Sequence, residues 1–192
     1  MLQKLYDRTM ALAASRHATA TLAGVSFAES SFFPIPPDLL LVPMVLSERG
    51  KWFWYAALCT VASVVGGLFG YAIGALLFET VAQPILSFYG YSEKFASFTE
   101  RFNAYGVWIV LLAGVTPFPY KVITIASGAT GLFLPVFIVA SILARGIRFF
   151  LVAGLLYLFG PPIRRFIEDR LAMVLAVVGA AAVLGFIAIK LI

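Results

Sequence analysis

Five ionisable side chains interrupt otherwise apolar stretches of this sequence: Glu29, Asp38, Lys121, Arg145 and Arg148. Two carboxylates and three cations form a set that can pair internally, exchange a proton or bind an anion. Arg145 and Arg148 are three residues apart and share one helix face. Their guanidinium forks suit bidentate contact with phosphate, and they stay charged at any physiological pH. Protonating Glu29 or Asp38 would release the cation paired with it, which is the step a proton-coupled carrier needs. A charged Asp, Lys or Arg at the centre of a membrane helix costs about 2.5–3.5 kcal/mol on translocon scales. Five such groups left unpaired would cancel the stability of an ordinary domain, about 5–15 kcal/mol. They must pair or reach water, and charge inside a membrane segment by default marks a pathway. Plainer structural roles compete: Asp38 as a helix cap after Pro36-Pro37, Glu29 as the ion-pair partner of either arginine, Lys121 snorkelling to an interface.

Enzyme chemistry finds no foothold. The sequence contains no Gly-x-Ser-x-Gly, no His-Glu-x-x-His and no P-loop. A single histidine, His17, excludes two-histidine metal motifs, and a single cysteine, Cys59, excludes an internal disulfide or thiolate cluster. No catalytic residues, metal or cofactor are expected.

Composition says what must hold these charges. Of 192 residues, 62% are hydrophobic and 12% charged, against about 25% charged in soluble domains. That excludes a soluble enzyme, a nucleic-acid binder and a disordered chain, and implies an all-α integral membrane protein. The net charge of +5 then reads as Lys and Arg kept on the cytoplasmic side. No cleavable signal peptide is recognisable, so the N-terminus is expected to be retained.

A spanning helix takes about 20 apolar residues. Segments 52–78, 132–160 and 171–191 qualify. Two further stretches, 18–47 and 107–131, are broken by Pro34, Pro36 and Pro37 and by Pro117 and Pro119. Proline lacks an amide proton and ends a helix, and bare irregular backbone cannot face hydrocarbon. Each broken stretch is therefore expected to be a re-entrant hairpin with its prolines at the tip. Residues 1–17 and 79–105 read as interfacial, the second because Phe95, Phe98, Phe102 and Tyr105 recur at helical spacing. With hairpins rather than full spans, the basic flanks alternate sides consistently and the N-terminus lies in the cytoplasm.

Hairpin followed by span occurs twice, and Val61-Ala62-Ser63 returns as Val139-Ala140-Ser141 within the two spans. One crossing separates the copies, so the second is inverted, as in transporters whose broken helices mark the binding site. Facing hairpins would bring Asp38 towards Lys121. Gly66, Gly70 and Gly74, beside Tyr71, form a stripe that admits another backbone closely. Its partner is a hairpin of the same chain or, alternatively, a homodimer.

The run Phe27-Ala28-Glu29-Ser30-Ser31-Phe32-Phe33-Pro34-Ile35-Pro36-Pro37-Asp38, the Gly66-x-x-x-Gly70-Tyr71-x-x-Gly74 span and Ala144-Arg145-Gly146-Ile147-Arg148-Phe149-Phe150 together resemble the DedA superfamily. It is also called the VTT or SNARE-associated Golgi protein family, and the resemblance is to its shorter YqaA-like branch over roughly residues 20–160. The resemblance implies a bacterial inner-membrane, multi-pass protein with two opposed re-entrant hairpins that moves lipids between leaflets, such as undecaprenyl phosphate or phosphatidylethanolamine. It maps the family's functional acids onto Glu29 and Asp38 and its arginines onto Arg145 and Arg148. Two features differ: Lys121 stands where typical members have arginine, and the Glu29–Asp38 gap is short.

The sequence is thus expected to encode a flippase or scramblase acting on a phospholipid or polyprenyl phosphate. Lys121, Arg145 and Arg148 would hold the phosphate, and Glu29 and Asp38 would gate by protonation. A proton-coupled solute transporter and a non-transporting membrane scaffold are the alternatives.

Overall fold

The computed structural model describes residues 17–33, 35–116 and 118–169. All regular structure among them is helical: α1 (Ala18–Ser31), α2 (Asp38–Ser47), a 3-10 turn (Arg49–Lys51), α3 (Trp52–Leu77), a π turn (Phe78–Ala82), α4 (Gln83–Phe88), α5 (Ser92–Ala104), α6 (Gly106–Val115), α7 (Tyr120–Ala129) and α8 (Leu134–Asp169).

The breaks fall where the prolines put them. α1 stops at Ser31, and the amides of Phe32 and Phe33 both turn back to the Ala28 carbonyl. The chain resumes as helix at Asp38, with Pro37 already helical at φ −64°. The second break is sharper. Thr116, forced out of the helical region by the proline after it, is extended at ψ 166°, and α7 begins directly after Pro119. α7 ends where Gly131 adopts φ +63°. This left-handed position lets the Leu132 amide reach back to the Ser127 carbonyl at 2.9 Å.

Two continuous helical stretches, Arg49–Phe88 and Leu134–Gly160, are long and apolar enough to cross a membrane. Only 33% and 39% of their most apolar windows are buried, yet the outward residues are apolar too: Val61, Val65 and Phe69 on one, Ile142, Ile147 and Leu151 on the other. A helix apolar on both its packed and its open face suits hydrocarbon surroundings rather than water. The first stretch is longer than its sequence suggests, because the π turn carries the helix beyond residue 78 to Phe88. The expected connection over 79–105 is accordingly helical at its start, then turns at Gly90 into α5. The expected interfacial segment over residues 1–17, apart from His17, and the span over 171–191 lie outside the described residues.

α8 kinks at Phe159, whose φ of −113° and ψ of 18° are not helical. Pro161 and Pro162 explain it, since neither can donate to the preceding turn. The Tyr157 carbonyl, four residues before Pro161, instead accepts a hydrogen bond from Arg49 Nη2.

The packing is reciprocal. α1 lies on α3, the long helix that follows it, and α6 lies on α8, the long helix that follows it. The second arms cross over, α2 onto α8 and α7 onto α3, while α3 and α8 pack on each other. Two apolar clusters result. One joins Leu22, Leu41, Met44, Cys59 and Phe149; the other joins Val110, Ile123, Leu132 and Phe137.

Glycine makes the α3 contacts possible. A Cβ on Gly66 would fall onto the Phe27 backbone of α1, and one on Gly74 onto the Ile125 carbonyl of α7. Gly70 sits between Thr124 and Ser30, and Gly128 of α7 returns the contact against the Tyr71 carbonyl. The stripe thus receives both broken segments of its own chain. Tyr71 locks the far end, its hydroxyl donating to the Leu132 carbonyl at 2.7 Å.

Candidate functional site

Between the two apolar clusters lies a polar layer that crosses α3 near its midpoint and α8 within its apolar stretch Leu134–Gly160. It contains Glu29, Ser30 and Ser31 from the end of α1, Ser63 from α3, Tyr120 and Thr124 from α7, and Ser141 and Arg145 from α8. Ser30, Ser31, Ser63, Tyr120, Thr124, Ser141 and Arg145 are all buried. In an apolar interior each polar atom needs a partner, and the layer is a network of such partners.

Arg145 occupies its centre. Its Nη2 donates to Glu29 Oε2 at 2.6 Å and its Nε to Ser63 Oγ at 2.6 Å. Ser63 Oγ is 2.5 Å from Ser30 Oγ, which lies 3.2 Å from Glu29 Oε2. One hydrogen assignment satisfies the ring: Arg145 to Ser63, Ser63 to Ser30, Ser30 to Glu29. The guanidinium carbon stands 4.8 Å from the Tyr120 ring centroid and 4.7 Å from that of Phe149, so two aromatic faces replace water around the cation. The arginine side chain is 0% exposed and Glu29 12%.

One helical turn further, Arg148 Nη2 donates to Asp38 Oδ2 at 2.6 Å. Arg148 is 17% exposed and Asp38 26%. Asp38 is the first residue of α2, where a carboxylate is also favoured by the helix dipole. Arg148 Nη1 approaches the Thr116 carbonyl at 3.4 Å. One guanidinium therefore touches the first residue after one break and the last before the other. Among the described residues Asp38 Oδ1 has no hydrogen-bond partner, and neither does Arg145 Nη1.

The two arms also meet directly. Thr124 Oγ1 donates to the Ser30 carbonyl at 3.0 Å, and Ser31 Oγ donates to the Gly66 carbonyl at 2.9 Å. In the second half, Tyr120 OH donates to Ser141 Oγ at 2.6 Å. The two serines of the repeated Val-Ala-Ser triplet thus hold corresponding posts: Ser63 faces the first break and Ser141 the second.

Four of the five charges singled out in the sequence come together as two ion pairs; the fifth does not. Lys121 is half-buried beside the second break and makes no ion pair among the described residues. The expected approach of Asp38 to Lys121 is replaced by Asp38–Arg148, because α2 packs on α8 rather than on α7. The two arginines also differ more than their shared helix face implies. Arg145 is enclosed, whereas Arg148 borders the surface. Of the break residues, Pro36 is exposed and Pro37 buried, and Pro119 is half-buried; Pro34 and Pro117 lie outside the described residues. Ser30, Ser31, Tyr120 and Thr124 were not legible as site residues. Their signal is hydroxyl groups flanking proline breaks within apolar runs, and Ser63 was visible only as part of the repeat.

A protein-family model described as the VTT domain matches residues 34–158. An uncharacterized protein of Haemophilus influenzae is 39% identical over 151 residues, covering 79% of this chain and 78% of its own. A Histophilus somni protein, described as an uncharacterized HI0703 homolog, is 37% identical over 155 residues with shares of 79% and 78%. No solved structure matches the chain.

Proposed function

Because the chain belongs to the VTT domain family, the domain of DedA proteins, we propose that it moves a phospholipid or polyprenyl phosphate between membrane leaflets. The observation that carries this reading is Arg148, a partly exposed guanidinium bound to Asp38 at the meeting point of two helix breaks. In this reading the broken segments are re-entrant hairpins of an inverted repeat in the bacterial inner membrane, with the N-terminus cytoplasmic. The reciprocal packing of first and second arms supports the inverted repeat. The mid-helix position of the polar layer supports a site at mid-depth.

The proposed cycle uses the outer pair. A proton taken up on Asp38 breaks its ionic bond to Arg148. The freed guanidinium then accepts the lipid phosphate in its fork. Loss of that proton restores the pair and expels the phosphate. Lys121, held by no carboxylate among the described residues, supplies a second cation on the far side of the break. Arg145 and Glu29 keep the framework in register while this happens, so the phosphate role falls to Arg148 and Lys121 rather than equally to all three cations. No covalent bond changes, so the proposed activity is transport and not enzymatic conversion.

The deciding experiment is lipid movement in proteoliposomes, with and without an imposed pH gradient, using undecaprenyl phosphate and labelled phosphatidylethanolamine. Gradient-dependent movement that fails in Asp38→Asn is the expected result. Movement that survives Asp38→Asn and ignores the gradient makes the protein an uncoupled scramblase. No movement of either lipid by folded protein overturns the lipid reading in favour of a solute carrier or a scaffold.

A further inference from the structure

A cleft of about 660 Å³ lies at the other end of α3, away from the ion pairs and independent of the lipid reading. Its walls are the π turn, α4 and one face of α5, and its floor is the last turn of α7 with Thr130 and Gly131. The volume is in the range of small-molecule sites.

Two observations agree on the charge it would accept, and a third supplies a hydrogen-bonding group. Glu79, in the π turn, is the one acidic or basic side chain in its lining, and it has no ion-pair partner among the described residues. The floor is the C-terminal end of a helix, where the peptide dipoles leave partial negative charge. Thr99 Oγ1, on the α5 wall, is a buried hydroxyl without a hydrogen-bond partner among the described residues, able to donate or accept. Charges of the opposite sign nearby are turned elsewhere: Lys94 lies over the Tyr91 ring at 5.1 Å, and neither it nor Arg101 lines the cleft.

The remainder of the lining is apolar and aromatic. Phe78 and Phe95 of the lining stack with centroids 4.6 Å apart, and Tyr71 lines the cleft with them. Glu79 lies 28 residues beyond Lys51, roughly 42 Å along a helix, which exceeds a hydrocarbon core of about 30 Å. The cleft therefore opens at the headgroup level of the face opposite Arg49 and Lys51. A ligand arriving there comes from lipid on one side and water on the other.

We infer that this cleft binds an organic ammonium group carried on an apolar chain, with the ammonium on Glu79 and Thr99 Oγ1 and the chain along Phe78 and Phe95. The π turn is part of the argument. A π-bulge inside a long helix is rare and recurs at functional sites, and here it turns Glu79 out of the α-helical register into the cleft wall.

The test uses the full chain in phosphatidylcholine nanodiscs and a long-chain primary amine bearing a photoreactive diazirine. Adducts are mapped by peptide mass spectrometry. Labelling is expected on the peptides of the π turn and α5, competed by dodecylammonium and not by dodecyl sulfate. Glu79→Gln should lower it roughly tenfold, the worth of one charge-assisted hydrogen bond. Ala96→Trp, which fills the cleft from an exposed position of α5, should abolish it while leaving lipid movement measurable. Competition by phosphatidylethanolamine placed in the disc assigns the ammonium to a lipid headgroup, and competition by water-soluble hexylammonium assigns it to a free amine. Labelling that is equal in wild type and Glu79→Gln, or that dodecyl sulfate competes as well as dodecylammonium does, overturns the proposal.

Discussion

Glu29–Arg145 and Asp38–Arg148 are made of the same groups, close at the same 2.6 Å, and stand one turn apart on α8. They differ in depth and company. The first has two aromatic rings and two serine hydroxyls around it and no exposed guanidinium surface. The second has a quarter of its carboxylate side chain exposed, a carbonyl at 3.4 Å and, among the described residues, only one aromatic ring near its guanidinium, Phe149 at 6.0 Å. Burial makes an ion pair hard to break, because the cost of leaving either partner alone is the cost of an unsolvated charge. An edge position makes the same pair exchangeable, because water or a ligand can take over. In the proposed cycle, one chemistry thus serves as a strut at one level of the helix and as a latch at the next. Lys51–Glu48, exposed on both sides, extends the scale to a third level where the pair carries little of either function.

The sharpest way to break this comparison is Arg145→Ala. It strands Glu29 in the interior and should cost about 3–5 kcal/mol of stability, read from unfolding in neutral micelles. The double variant Glu29→Gln/Arg145→Met should recover most of that loss. A single-variant cost below about 1 kcal/mol would put Arg145 in the same class as its neighbour. Next in size is Ser63→Ala. It leaves Arg145 Nε without an acceptor and should cost about 1–3 kcal/mol, with no change in the behaviour of the outer pair.

Arg148→Gln is expected to reverse the pattern. Partial exposure should keep its effect on stability below that of Arg145→Ala, while lipid movement in proteoliposomes should be lost. Folded protein that transports normally without Arg148 would remove the latch from the comparison. The smallest effect belongs to Glu48. Its hydrogen bond and attraction to Lys51 hold its carboxyl below the ordinary value of 4.5. A lowered folded value means the pair's contribution is complete above the ordinary carboxylate range and vanishes as pH falls through the folded value. Carboxyl NMR should show Glu48 titrating below a free glutamate, and Lys51→Met should return it, with no resolvable change in unfolding.

The charges themselves were legible because apolar surroundings make any Glu, Asp or Arg conspicuous, and the proline runs located both breaks closely. Pairing was not legible. Whether Asp38 meets Lys121 or Arg148 depends on whether α2 lies against α7 or against α8, and hydrophobic pattern alone does not tell a reader of sequence which. The glycine stripe announced a close approach but could not say that two different segments share it, one at Gly66 and one at Gly74. The continuation of α3 to Phe88 escaped notice because Glu79, Thr80 and Gln83 look like the end of a span. The π turn absorbs the first two, and α4 takes up Gln83, without ending the helix. Burial of Arg145 against exposure of Arg148 escaped for a related reason: a three-residue spacing fixes a shared face, and says nothing of how deep each position lies.

The hydrogen bond between Glu29 and Arg145 joins residues 116 positions apart. At ordinary synthesis rates the carboxylate therefore precedes its cation by on the order of ten seconds. Through that interval the nascent first segment holds an acid whose native counterion does not yet exist, and Ser30 waits likewise for the Thr124 hydroxyl. The first half consequently completes its polar layer only when α8 arrives, and a chain truncated before Arg145 would carry Glu29 without its native partner.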